Sequence, residues 1–89
     1  MKIYSYKGKR NVCGEKIRAM RIKSRMSQSD LAARLQVEGV MMERDSISRI
    51  ESGTRFVADF ELCIFAQVFG VEVGSLLEVQ DKENSRRLG

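Results

Sequence analysis

Residues 26–53 read MSQSDLAARLQVEGVMMERDSISRIESG, which parses as one helix, a turn, a second helix and a glycine that stops it. Ser27 is a favourable N-cap, because its hydroxyl accepts from a backbone N–H that has no partner inside the helix. Asp30 stands three residues on, the capping-box position, with the shorter acid. Leu31, Ala32 and Leu35 then recur on one helical face. In the second helix Ile47 and Ile50 turn inward, while Arg44, Asp45, Ser48 and Arg49 point elsewhere. Gly53 falls where a left-handed cap belongs. Ala32 supplies the small residue that lets two short helices cross.

Taken together, residues 17–21 (IRAMR), 26–35 (MSQSDLAARL), 46–53 (SISRIESG), 59–62 (DFEL) and 71–77 (VEVGSLL) carry a family likeness. The ordered set resembles the phage-repressor and Cro-type helix-turn-helix DNA-binding domains, over most of the chain. That resemblance implies an all-α fold, a five-helix lambda-repressor-like helix-turn-helix domain. It also implies that Arg21, a charge beside the apolar stripe of the first helix, forms a structural ion pair with Glu51. Three departures bear on the turn. Leu35 to Ile47 spans twelve positions, several more than is usual in the family, so residues 36–42 look like an insertion of the lengthened-turn subset. Arg25 stands where the first helix commonly ends in glycine, which asks a non-glycine residue to take positive φ. Glu43 occupies the cap position of the second helix of the motif, and Glu caps poorly.

The 89 residues suffice for one domain with a small core. Proline is absent and 43% of the residues are apolar, which argues against wholesale disorder. No apolar run is long enough to span a bilayer, and the N-terminus lacks the apolar core of a signal peptide, so the expected location is cytoplasmic, away from the membrane. Cys13 and Cys63 are read as reduced, small, buried hydrophobes. With no His anywhere, the commonest general base and metal ligand are both missing, and neither a catalytic site nor a metal or other cofactor is expected. The charge is lopsided. Residues 1–55 hold thirteen Lys/Arg against six Asp/Glu, net +7, and residues 56–89 hold three against six, net −3. A basic front half suits phosphates.

In chain order, residues 1–10 (MKIYSYKGKR) form an expected flexible basic segment, with a DNA-contacting arm or a short strand as alternatives. Residues 11–79 form the helix-turn-helix domain. Its first helix runs from about Cys13 to Ser24 with Asn11 as cap, Ile17 and Met20 inward, and Lys16, Arg18 and Lys23 in solvent. Val40, Met41 and Met42 are expected to pad the core under the third helix, so that the inserted turn sets that helix's pose without touching bases. Asp59 is the expected cap of a fourth helix whose Leu62, Phe65, Ala66 and Phe69 recur with helical period. A short fifth helix spans 73–79, with one of Leu76 and Leu77 in the core and the other available for a dimer contact. Residues 80–89 read as a disordered tail.

The function these residues point to is sequence-specific binding of double-stranded DNA by a transcriptional regulator, a repressor, reading the major groove with its third helix. Arg forks onto guanine O6 and N7, and Asp accepts from cytosine N4. Arg44, Asp45, Ser48 and Arg49 are therefore the expected base contacts. Arg21, Ser27, Gln28, Thr54 and Arg55 are the expected phosphate contacts. A homodimer is expected because one such helix reads only a few base pairs. The alternative is an antitoxin-like or other interaction module that holds a protein partner through its acidic rear half.

Overall fold

A computed structural model describes residues 6–78 of the chain. Five helices follow one another: α1 (Gly14–Lys23), α2 (Gln28–Val37), α3 (Arg44–Ser52), α4 (Asp59–Phe69) and α5 (Val73–Leu76). Among the described residues there is no strand, only an isolated bridge between Tyr6 and Lys9. The fold is a small all-α helix-turn-helix domain. Residues 1–5 and 79–89 lie outside the description, and with them the expected tail, Tyr4 and Val79.

The core is built from one stripe of each helix. Ile17, Leu31, Leu35, Ile47, Ile50, Phe65 and Leu76 are fully buried, with Cys13, Met42 and Ala66 beside them. α3 packs against both α1 and α2, and α4 packs against α2 and α5. The inner face of α3 is thus seated on α1 and α2.

Local chemistry sets where each helix begins and ends. Ser27 Oγ accepts from Asp30 N at 2.9 Å and Asp30 Oδ2 accepts from Ser27 N at 2.9 Å, a reciprocal capping box at the head of α2. Gly53 ends α3 at φ 86° and Gly70 ends α4 at φ 70°, both left-handed. Arg25, between α1 and α2, holds φ 59° without being glycine, in a region where a side chain is disfavoured. Asn11 caps α1 from outside it: Oδ1 accepts from Gly14 N at 2.8 Å, while Cys13 makes no side-chain cap bond.

Several expectations need correction. α4 begins at Asp59 with Ala58 as its cap residue, and the free N–H of Ala58 is satisfied by Glu61 Oε1 at 3.0 Å, not by Asp59. Cys63 is exposed, because α4 carries apolar residues all round its N-terminal half and only one face can be inside. Of the apolar residues in the inserted turn, Met42 is buried and Val40 half-buried, but Met41 is 77% exposed. Residues 6–10, part of the expected flexible segment, form a tight turn. Lys9 N donates to Tyr6 O at 3.0 Å, and Arg10 N donates to Gly53 O at 2.7 Å. α5 is shorter than expected, ending at Leu76.

Candidate nucleic-acid interface

α3 is amphipathic by construction. Ile47, Ile50 and Glu51 face the interior, which turns Arg44, Asp45, Ser48, Arg49 and Ser52 to solvent. All four expected base-contacting residues therefore stand on one exposed helical surface. Glu43 makes no side-chain cap bond, so the N–H groups of the first turn are not covered by it. Arg44 Nη2 lies 3.7 Å from Asp45 Oδ1, an exposed pair of the sort that contributes little to stability and separates readily.

The helix is held by polar contacts as well as by its isoleucines. Arg21 Nε donates to Glu51 Oε2 at 2.7 Å and Arg21 Nη2 to Glu51 Oε1 at 3.1 Å, a forked pair. Gln28 Nε2 donates to Glu51 Oε1 at 3.0 Å, and Arg21 Nη1 to Met26 O at 2.9 Å. The Glu51 side chain is 4% exposed and that of Arg21 13%. Glu51 holds the Arg21 guanidinium above its ordinary pKa. This network joins the end of α1, the head of α2 and the last turn of α3. A further clamp was not foreseen from sequence: Asn11 Nδ2 donates to Ile50 O at 3.1 Å and to Arg55 O at 2.8 Å. Asn11 is thus both the cap of α1 and a tie to the end of α3.

The expected phosphate contacts divide. Ser27 is exposed at the head of α2, with its hydroxyl in the capping box. The Ser27 backbone N–H, which donates to the Asp30 carboxylate, and then the Ser27 side chain hold Asp30 below its ordinary pKa. Thr54 is exposed, and its N donates to Arg49 O at 2.8 Å. The side chains of Arg21 and Gln28 turn inward to Glu51. Arg55 turns back onto α4, where Nη1 and Nη2 fork onto Glu61 Oε1 and Oε2 at 3.1 and 3.2 Å. Ser52, exposed beside Thr54 with their hydroxyls 3.2 Å apart, extends the polar surface past Arg49.

Among the described residues no group of His, Cys, Asp and Glu is gathered to hold a metal, and no helix is long and apolar enough to cross a membrane. Compared with known families, the chain matches, over residues 13–79, the model of a helix-turn-helix domain. No curated protein and no solved structure matches it.

Proposed function

The chain belongs to the helix-turn-helix domain family, and from that premise we propose that it is a sequence-specific DNA-binding regulator, a repressor, of the lengthened-turn, phage-repressor type. Its α3 enters the major groove, where Arg44 and Arg49 fork onto guanines, and Asp45 and Ser48 take cytosine N4 or other base edges. Ser27 and Thr54 approach the backbone from the flanks, and Gln28, its side chain turned to Glu51, contributes through the main chain at the head of α2, where N–H groups suit a phosphate. Arg21 and Arg55 each face a carboxylate and add less to phosphate attraction than a lone guanidinium would. The observation that carries the proposal is the division of α3: its base-matching side chains share one exposed surface, while Ile47, Ile50 and Glu51 lock the opposite one.

The protein acts as a homodimer on two half-sites about one helical turn apart. Exposed apolar groups available to the interface are Leu77, Tyr6 and, on α4, Phe60. Phe60 is 63% exposed in the acidic rear half, which also favours a second reading, a protein partner held by α4.

Selection of bound sequences from random duplexes, followed by titration of variants, tests the first reading. Arg44→Ala or Arg49→Ala weakens binding to the selected site by about 1–3 kcal/mol and relaxes preference at one position. Binding to a scrambled duplex changes much less. Equal losses on both duplexes refute base reading by either residue, and a one-to-one complex on a palindromic site in sedimentation refutes the dimer.

A further inference from the structure

Between Gly39 and α3 the chain runs without regular structure to Glu43, whose backbone is extended, and burial alternates along it: Val40 is half-buried, Met41 exposed, Met42 buried, Glu43 exposed. The segment is firmly placed. Val40 N donates to Leu35 O at 2.9 Å, Met42 is locked in the core, and Gln67 Nε2 of α4 donates to Glu38 Oε1 at 2.9 Å. Met41, between the anchored Val40 and the buried Met42, is left 77% exposed. Met41 lies two residues before Glu43, the equally exposed residue at the N-cap position of α3, a span of roughly 6.6 Å if the chain between them is extended. An unbranched thioether of this length, presented in water beside the N-terminus of the helix, is an apolar probe with several rotatable bonds.

Resting on the reading of α3 as the groove-entering helix, we propose that Met41 is a specificity-determining residue, whose side chain packs on the C5-methyl of a thymine at the outer edge of the half-site. The N-terminal end of such a helix is the end nearest the bases. The residue two before it then sits at the lip of the groove, next to the base pair beyond those read by Arg44 and Asp45. The thymine methyl is the one apolar group that the major groove displays. The inserted turn, expected from the sequence to set the pose of α3 without touching bases, would on this proposal add a base contact through its one exposed methionine.

The test replaces each thymine of the selected site, one at a time, with deoxyuridine, which removes only the methyl. Wild-type protein loses about fourfold in affinity at one thymine per half-site, the worth of one buried methyl group. Met41→Ala binds the thymine and deoxyuridine versions of that position equally, keeps its sensitivity elsewhere, and melts at the wild-type temperature. Met41→Leu, which keeps an apolar reach, retains most of the discrimination. If Met41→Ala shows the same thymine dependence as wild type at every position, the proposal is overturned, and the side chain belongs to a protein contact or to none. The reading of α3 stands or falls separately, on whether Arg44→Ala and Arg49→Ala lose discrimination on the same set of duplexes.

Discussion

Replacing Arg21 with Ala tests how α3 is held in place. The change removes both forked hydrogen bonds to Glu51 and the bond to Met26 O. It leaves a carboxylate whose side chain is 4% exposed with Gln28 Nε2 as its remaining side-chain donor. Breaking a buried pair by deleting one partner costs about 3–5 kcal/mol, because the other charge stays desolvated. Gln28 and the slight exposure of the site place Arg21→Ala near the lower end, about 3 kcal/mol. For a domain of this size each kcal/mol shifts the melting temperature by about 4–8 °C, so the expected drop is about 12–24 °C. Thermal melts followed by circular dichroism in low salt and in 1 M NaCl measure it. The penalty should persist in high salt, since a buried pair is screened far less than a surface one. Combining Arg21→Leu with Glu51→Leu should recover most of the loss, since a well-packed apolar pair often replaces a buried ion pair at little cost. A loss below about 1 kcal/mol for Arg21→Ala, or one that vanishes in salt, refutes the reasoning: the pair would then be energetically a surface contact.

Gly14→Ala should destabilise the domain, although alanine is the better helix former by about 1 kcal/mol. A Cβ at Gly14 would overlap Ile50 O and approach Asn11 Oδ1, and the carbonyl of α3 is backbone that cannot swing aside. A rise in melting temperature would show that α1 can back away from α3. Burial alone would raise the pKa of Glu61, but its bonds from Arg55 and the Ala58 N–H outweigh this, and its carboxyl titrates below the ordinary 4.5. Because the folded pKa is the lower one, the stabilisation is full above the unfolded pKa and fades as pH falls through the folded value. Glu61→Gln should therefore lie below wild type at neutral pH, with the gap in chemical denaturation closing in acid, and a gap constant with pH would exclude the charged form as its source. Burial pushes the Cys13 thiol up to about 11, whereas Cys63 is exposed. A thiol reagent at pH 8 should label Cys63 rapidly and Cys13 only on unfolding, and two equally fast thiols would contradict the packing of α1.

Much of the frame is legible from residues that act locally. Ser27 with Asp30, Ile47 with Ile50, and Gly53 each declare a cap, a face or a stop through neighbours a few positions away, and the helices lie close to where these signals put them. Contacts between distant positions are legible only by resemblance, as with Arg21 and Glu51, or not at all. Nothing in spacing announces that Asn11 donates to Ile50 O, thirty-nine residues on. Nor does a carboxylate six residues away across a loop announce itself as the partner of Arg55. Adjacent apolar residues are equally illegible from spacing. In the run Val40, Met41, Met42 all three side chains are apolar, so spacing does not say which the loop turns inward, and Met42 is buried while Met41 is exposed. Along α4 the apolar residues Phe60, Leu62, Cys63, Ile64 and Phe65 encircle the helix, so period alone cannot separate the buried Phe65 from the exposed Cys63.

The partition of α3 bears on how such a protein can change over time. Its buried contacts are made by Ile47, Ile50 and Glu51, while Arg44, Asp45, Ser48, Arg49 and Ser52 are exposed. Surface substitutions of that kind usually shift folding free energy by less than about 0.5 kcal/mol. The outer positions can accordingly be exchanged in many combinations without approaching the threshold at which the fold fails. A lineage built on this frame can acquire new preferences one residue at a time, each intermediate remaining folded, because the residues that hold the helix and the residues it displays do not overlap.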